Sequence, residues 1–483
     1  MRSGVWSSFS KRISNFLDRT TVDYDLVVIG MGAAGLSAAL SFAEASAGRG
    51  PTARVAMLER STEKERGGAT RYTSSWFRVT EDRQLDPKFV DTMESVSGGL
   101  ADLDYCRTLA REVPNSLRFL DEHNVQTTYF KQPLPNRNTG GGLGMPVGGG
   151  ASIVQGLAGI VERTAGIEIL YQTEAVRLSI SDQGRIDGVF VRGRDGLLRK
   201  LGARAVVIAS GGFEGNKEML TEYLGERACD MPLIAPGPGN NRGEGIRMAM
   251  EVGADTAGQF DMFHGEPVDA RSNKPDAVIY PYPYAIVVNR HARRFYDEGK
   301  NSFDSTFEEF AYQIWRHQDQ RAFLIGDQTS LSVRGFTDVA FTDLPPITAD
   351  TIGGLAEQLG LDPTVLESTV AEFNAAVGPG EFNPYIFDGK RTIGLTPPKS
   401  NWAFPLHSPP YIAYPLTCAI TFTFGGIRTD SSARVVSPAG TPIPGLYAAG
   451  EVTGLYYHAY PAGTSVIRAI TFGRIAGAHA AVD

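Results

Sequence analysis

The 483-residue sequence predicts an α/β protein built on a central parallel sheet, and three observations predict it. The block Tyr24-Asp25-Leu26-Val27-Val28-Ile29 is apolar and β-forming, as expected of a strand buried on both faces. It runs into Gly30-Met31-Gly32-Ala33-Ala34-Gly35, after which Leu36, Ala38, Ala39, Leu40 and Ala43 read as a helix. Two more buried blocks end in glycines far along the chain, Ala205-Val206-Val207-Ile208-Ala209-Ser210-Gly211-Gly212 and Leu446-Tyr447-Ala448-Ala449-Gly450-Glu451.

Composition sets outer limits. The length suits two or three domains, and 42% hydrophobic with 21% charged residues is ordinary for a soluble protein. The balance of 46 basic against 54 acidic residues and the lack of a basic run argue against a nucleic-acid partner. Cys106, Cys229 and Cys418 lie far apart, with no CxxC, haem or iron–sulfur pattern. This predicts a reducing, cytoplasmic setting and a second redox centre on another molecule. No metal-ligand spacing appears, and no apolar stretch is long enough to span a bilayer, so no integral membrane protein is expected. Residues 1–22 read as an N-terminal extension with amphipathic character.

The glycine pattern carries chemistry. Gly30 permits a tight turn, Gly32 lets backbone approach a pyrophosphate, and Gly35 lets helix and strand pack closely. The pyrophosphate then sits on a helix N-terminus, where unpaired N–H groups favour an anion. A second strand, Val55-Ala56-Met57-Leu58, ends in Glu59, placed to accept ribose hydroxyls. Together these predict a Rossmann-like dinucleotide site of Gly30, Gly32, Ala33, Ala34, Gly35, Glu59 and Arg60.

FAD is the expected dinucleotide. Gly67-Gly68-Ala69-Thr70 is a turn that can wrap the flavin side of the pyrophosphate. Ala175, Ser210, Gly211, Gly212, Gly450 and Glu451 join the predicted cofactor residues, because glycine endings spread over the chain require a long ligand. The last helix starts near Ser465 with Val466 and Ile467, and its N-terminus can face the flavin's pyrimidine edge.

These residues resemble the FAD-dependent fumarate reductase/succinate dehydrogenase flavoprotein superfamily over nearly the whole chain beyond Val22. Asn289-Arg290-His291-Ala292-Arg293-Arg294-Phe295-Tyr296-Asp297-Glu298 is similar to its "N-x-x-G-x-R-F-x-x-E" segment, and Ile470 to Gly477 to its last helix. Within it, Ile420 to Gly426 and Tyr457 to Ser465 resemble the tricarballylate dehydrogenase-like branch. The resemblance implies a GR2-type FAD domain, residues 23–260 and 401–483, interrupted by an α+β capping domain at 261–400, with the active site where they meet.

The departures are informative. The stretch Gly299 to Asp304 has no arginine where fumarate reductases carry their proton donor. Their substrate-binding histidine aligns near Phe422 and an arginine at Pro461, which argues against fumarate reduction. The absence of histidine beside Gly67 and Gly68 implies non-covalent FAD. His264 matches the remaining carboxylate-contacting histidine, while His458 and Tyr460 precede the last helix as acid–base candidates. Arg294 is a candidate carboxylate clamp or a partner of Glu298. Asp304, Glu308 and Glu309 read as a solvated helix face, and 139–150 as a glycine-rich flap or plain loop.

The expected activity is desaturation of a small carboxylate or carbonyl compound by hydride transfer to flavin N5 with proton loss from the adjacent carbon. Electrons would pass to a separate protein, quinone or oxygen. The alternatives are an ene-reductase running in reverse, a net non-redox isomerase or lyase, and a flavin-loaded partner-binding subunit.

Overall fold

The computed structural model describes residues 23–131 and 142–483; the expected N-terminal extension and residues 139–141 of the glycine run lie outside the described residues. The strand Tyr24–Ile29 forms the centre of an eight-stranded sheet, with Leu26, Val27 and Val28 fully buried. It pairs in parallel with Val55–Glu59 on one side and with Leu198–Ile208 on the other. Ile167–Tyr171 and Pro442–Ala448 extend the parallel array, so the C-terminal region enters the sheet that the N-terminal region began. Continuous apolar runs are the composition such doubly covered strands require.

The strand Leu198–Ile208 has three neighbours, Pro442–Ala448 among them. Its first half pairs with the antiparallel hairpin Glu174–Ile180/Ile186–Arg192, and its second half with the central strand.

The first helix, Ala33–Ser46, and the last, Ser465–Ala480, lie side by side in the same direction. Glycine makes this approach possible: a Cβ on Gly473 would lie 2.3 Å from the Ala34 carbonyl oxygen, and one on Gly477 2.0 Å from that of Ala38. Gly35 packs as closely on the strand turn, where a Cβ would meet the Gly30 carbonyl at 1.9 Å. On its other side the last helix is held by Tyr105, whose ring stacks on Phe472, and by a Ser116–Thr471 hydroxyl bond of 2.8 Å.

A second, five-stranded sheet is antiparallel. It combines Phe263–Asp269, Ile286–Asn289, Ala322–Gly326 and Ile347–Ala349 with the long strand Tyr411–Thr423. That last strand lies beyond residue 400, so this sheet draws on both sides of the boundary expected there. The chain enters and leaves this region through the short antiparallel pair Thr256–Ala257 and Gly426–Ile427. The helix Phe303–His317 covers the sheet with Phe303, Phe307, Phe310 and Ile314 turned inward. Among the described residues no helix is long and apolar enough to cross a membrane.

Gly473→Ala is expected to destabilise the fold by about 1–3 kcal/mol, the usual cost of overpacking a tight contact. Thermal unfolding of the FAD-loaded protein measures it; an unchanged melting temperature would mean the two helices can separate freely.

Candidate active site

A long cavity follows the carboxyl ends of the parallel strands, where ligands of open α/β sheets bind. Glu59 lies at one end and the start of the last helix, Ser465 and Val466, at the other. The Glu59 side chain is buried and accepts the Ser61 N–H at 2.8 Å, which fixes the carboxylate at the cavity wall. Gly30, Gly32, Ala33 and Ala34 present the N-terminus of the first helix. The turn Gly67, Gly68, Ala69 and Thr70 closes over it, pinned by the Ala33 N–H donating to Thr70 Oγ1 at 3.1 Å. Gly67 has φ 108°, a conformation that glycine adopts without penalty.

Arg60, Ala175, Ser210, Gly211, Gly450 and Glu451 also line this cavity. The Arg60 guanidinium is paired with Glu174 and Glu244, both at 3.0 Å, and donates to the Asn240 carbonyl. Three expected cofactor residues stand behind the wall instead. Gly35 is pressed on Gly30, a Cβ on Gly212 would meet Glu451 Oε1 at 2.2 Å, and Ile467 is fully buried in the core. Each supports a lining neighbour and faces away from the cavity.

Sequence reasoning missed Glu214, Asn241 and Arg468, which surround the expected Glu451. Asn241 Nδ2 donates to Glu214 Oε1 at 2.7 Å and to Glu451 Oε2 at 3.2 Å, bridging the buried Glu214 and the half-buried Glu451. Burial and the charge of Glu451 push the Glu214 carboxyl well above its ordinary pKa, and burial raises Glu451 as well. Arg468, one turn into the last helix and 2% exposed, donates to the carbonyls of Thr453 and Gly450 and lies over the Tyr456 ring. The only sign of it in the sequence was its helical spacing from Ser465.

The set fits FAD. A carboxylate for ribose, a helix N-terminus for pyrophosphate and a second helix N-terminus for the flavin's pyrimidine edge follow one another along one cavity.

A second cavity meets the first at Thr73, Asp276, Thr421, Phe422, Ser465 and Val466. His264 and Tyr460 both line it. The His264 ring is held between two carboxylates, with Nε2 3.1 Å from Glu266 and Nδ1 2.9 Å from Glu308. Burial disfavours charge on this ring, but the two carboxylate bonds outweigh it and raise its pKa to about 10. Burial raises both glutamates, while the bond to His264 pulls them back towards the ionised form. The chain of bonds continues at both ends. The Tyr280 hydroxyl donates to Glu266 Oε2 at 2.9 Å, and the Tyr460 N–H donates to Glu308 Oε2 at 2.8 Å.

Tyr460 reaches the start of the last helix. Its hydroxyl oxygen accepts the Thr464 N–H at 2.7 Å and the Ser465 N–H at 2.9 Å. Two N–H groups that a helix start leaves unpaired are thereby satisfied by one phenol.

Other candidates fall elsewhere. His458 is exposed and lines neither cavity: its φ of 62° turns the chain, so a single residue, Ala459, separates an outward imidazole from an inward phenol. Arg294 is buried away from both cavities, pairing with Glu298 at 2.6 Å and donating to the carbonyls of Pro397 and Pro398. With Glu298 accepting the Val287 N–H and buried Lys399 at 3.8 Å, this arginine fixes a loop and is occupied. Glu308 and Asp304 are not on a solvated face; Glu308 joins His264 and Asp304 lines the second cavity. Tyr456 is buried against Thr464, and the Tyr457 hydroxyl accepts the Gly258 N–H.

The raised His264 pKa gives a pH dependence. The folded state holds a proton that an unfolded histidine releases near pH 6.5, so its stabilisation is complete below that value and is lost as pH rises towards 10. Between these limits stability is expected to fall by up to about 1.4 kcal/mol per pH unit. His264→Gln is expected to remove that slope; denaturant unfolding at several pH values measures it, and equal slopes would refute a charged His264.

Comparison with known proteins agrees with this geometry. The FAD binding domain family model matches residues 25–467. The 4-oxocyclohexanecarboxylate 2-dehydrogenase of Sinomonas cyclohexanicum is 29% identical over 432 residues, 82% of this chain and 72% of that protein. The 3-ketosteroid-Δ4-(5α)-dehydrogenase structure from Rhodococcus jostii RHA1 superposes with a TM-score of 0.72 at 25% identity, covering 97% of this chain and 99% of that one. An open flavocytochrome c3 fumarate reductase matches all of this chain and 82% of its own, with a TM-score of 0.75 at 23% identity. With the dinucleotide cavity and the match along its length, the chain belongs to the FAD binding domain family, in the fumarate reductase/succinate dehydrogenase flavoprotein superfamily.

Proposed function

We propose that this FAD-dependent oxidoreductase, which acts on CH–CH groups, works in the desaturating direction on a carbonyl compound bound in the second cavity. The observation that carries the reading is the Tyr460 hydroxyl. Its oxygen already accepts two backbone N–H groups, so its own proton is left to donate into the cavity that it lines. A carbonyl oxygen receiving that bond draws electrons from the neighbouring carbon and makes its C–H more acidic.

FAD, held non-covalently, supplies the hydride acceptor when bound. The absence of histidine and cysteine among the described residues lining its cavity supports the non-covalent mode. The proton leaves by the bonded chain. The Tyr280 oxygen takes it from carbon as the Tyr280 proton passes to Glu266, whose charge is balanced by His264, itself held on its other ring nitrogen by Glu308. His264 thus holds charge for the base rather than touching a substrate carboxylate. Electrons go on to a separate acceptor. The three free cysteines, two of them buried, support a reducing, cytoplasmic setting.

Two results are expected. Anaerobic mixing of the FAD-loaded protein with saturated ring ketones bleaches the flavin absorbance; reoxidation of chemically reduced protein by enones, without such bleaching, would assign the reductive direction instead. Tyr460→Phe and Tyr280→Phe each slow bleaching by about 10²–10⁴-fold at unchanged FAD content, the usual contribution of a placed acid or base. A rate within two-fold of the parent would remove that residue from the chemistry.

A further inference from the structure

We infer that the second cavity selects an uncharged, ring-bearing carbonyl compound and discriminates against carboxylates. The inference rests on the dehydrogenase reading of this cavity and names its substrate class.

Three observations carry it. First, the walls are aromatic: Trp76, Tyr280, Phe303, Phe307, Phe341 and Phe422 line the space. Trp76 meets Phe341 at 5.9 Å and Tyr280 at 6.4 Å, while Tyr280 meets Phe303 at 5.1 Å. Such surfaces offer a flat apolar ring stacking and edge contacts, and they give an anion nothing to replace its water.

Second, the fixed charges are of the wrong sign for an acid. Glu266, Asp276 and Asp304 line the cavity, and no arginine or lysine does so among the described residues. A carboxylate brought here would lose hydration beside like charges.

Third, the one cationic side chain among the described lining residues, His264, is already used. Both ring nitrogens of His264 are bonded, to Glu266 and to Glu308, so a substrate carboxylate would have to displace one of them. Arg294, the other sequence-based candidate for a clamp, is buried among its own acceptors outside the cavity. A tricarboxylate would therefore find no free cationic partner on the described walls.

The polar groups left for a neutral ligand are hydroxyls, that of Tyr460 together with those of Ser75 and Thr421, set among the aromatic walls. Aromatic walls with neutral donors and no free cation suit a ring ketone: apolar body, uncharged acceptor.

The test is a matched pair. 4-Oxocyclohexane-1-carboxamide and the corresponding carboxylate differ little in shape and by one charge. Each is titrated into the oxidised, FAD-loaded protein, with binding read from the shift in flavin absorbance. The amide is expected to bind about ten-fold or more tightly than the acid. Asp276→Asn and Asp304→Asn are expected to narrow that gap by several-fold in FAD-loaded variants. Equal affinity, preference for the acid, or no binding of the amide or cyclohexanone would overturn the inference, as would a gap that neither variant narrows. A ring carrying a trimethylammonium group that bound more tightly than the amide would overturn it too, by making the acids counter-ions. Bleaching is read separately, so a ketone that binds without reducing flavin counts against the reaction and leaves the substrate class standing.

Discussion

Everything in this structure depends on how closely two helices can approach. Gly473 and Gly477 let the last helix lie backbone to backbone on the first, which in turn sits against the Gly30 turn through Gly35. A single methyl group at any of these contacts would meet a carbonyl oxygen. Because the helices run in the same direction, their N-termini open towards one cavity although they come from opposite ends of the sequence. Two positive helix ends in one cavity are what a long anionic cofactor requires, one for its pyrophosphate and one for its ring. The interleaved order of parallel strands follows from the same demand.

The second organising element is electrostatic. Glu266, His264 and Glu308 form an acid–base–acid chain with almost no water access, and such a set persists only when each charge has partners. Tyr280 and the Tyr460 amide complete it. The cost of burial is met inside the chain, which leaves the histidine no capacity for an external anion. The imidazole that the sequence offered as a ligand for substrate is, in the fold, a counter-ion for its neighbours.

What was legible in the sequence follows from which constraints are local. A strand, a glycine turn and a helix start are neighbours along the chain, so the residues from Gly30 to Ala34 and from Gly67 to Thr70 could be read and line the cavity. Glu308 could not. Its helix shows an ordinary stripe of Phe303, Phe307 and Phe310, and the partner that makes a charge tolerable there is His264, 44 residues away. His458 misled for the opposite reason: nearness in sequence to Tyr460 suggested shared chemistry, but a positive φ between the two directions separates them. Arg294 and Glu298 stood in a recognisable segment, and their fixed spacing serves loop geometry.

The second cavity lies at a seam. Trp76, Tyr460 and the last helix form one wall, and the stretch 264–341 most of the other, with Tyr460 to Glu308 and Ser74 to Asp276 as stitches across it. Most of the wall opposite the last helix, residues 264–341, is therefore written in a different stretch of the chain from the glycine turns that line the dinucleotide cavity. Mutation can reshape one while leaving the other intact, so a lineage built on this plan can change its diet without relearning how to hold its flavin.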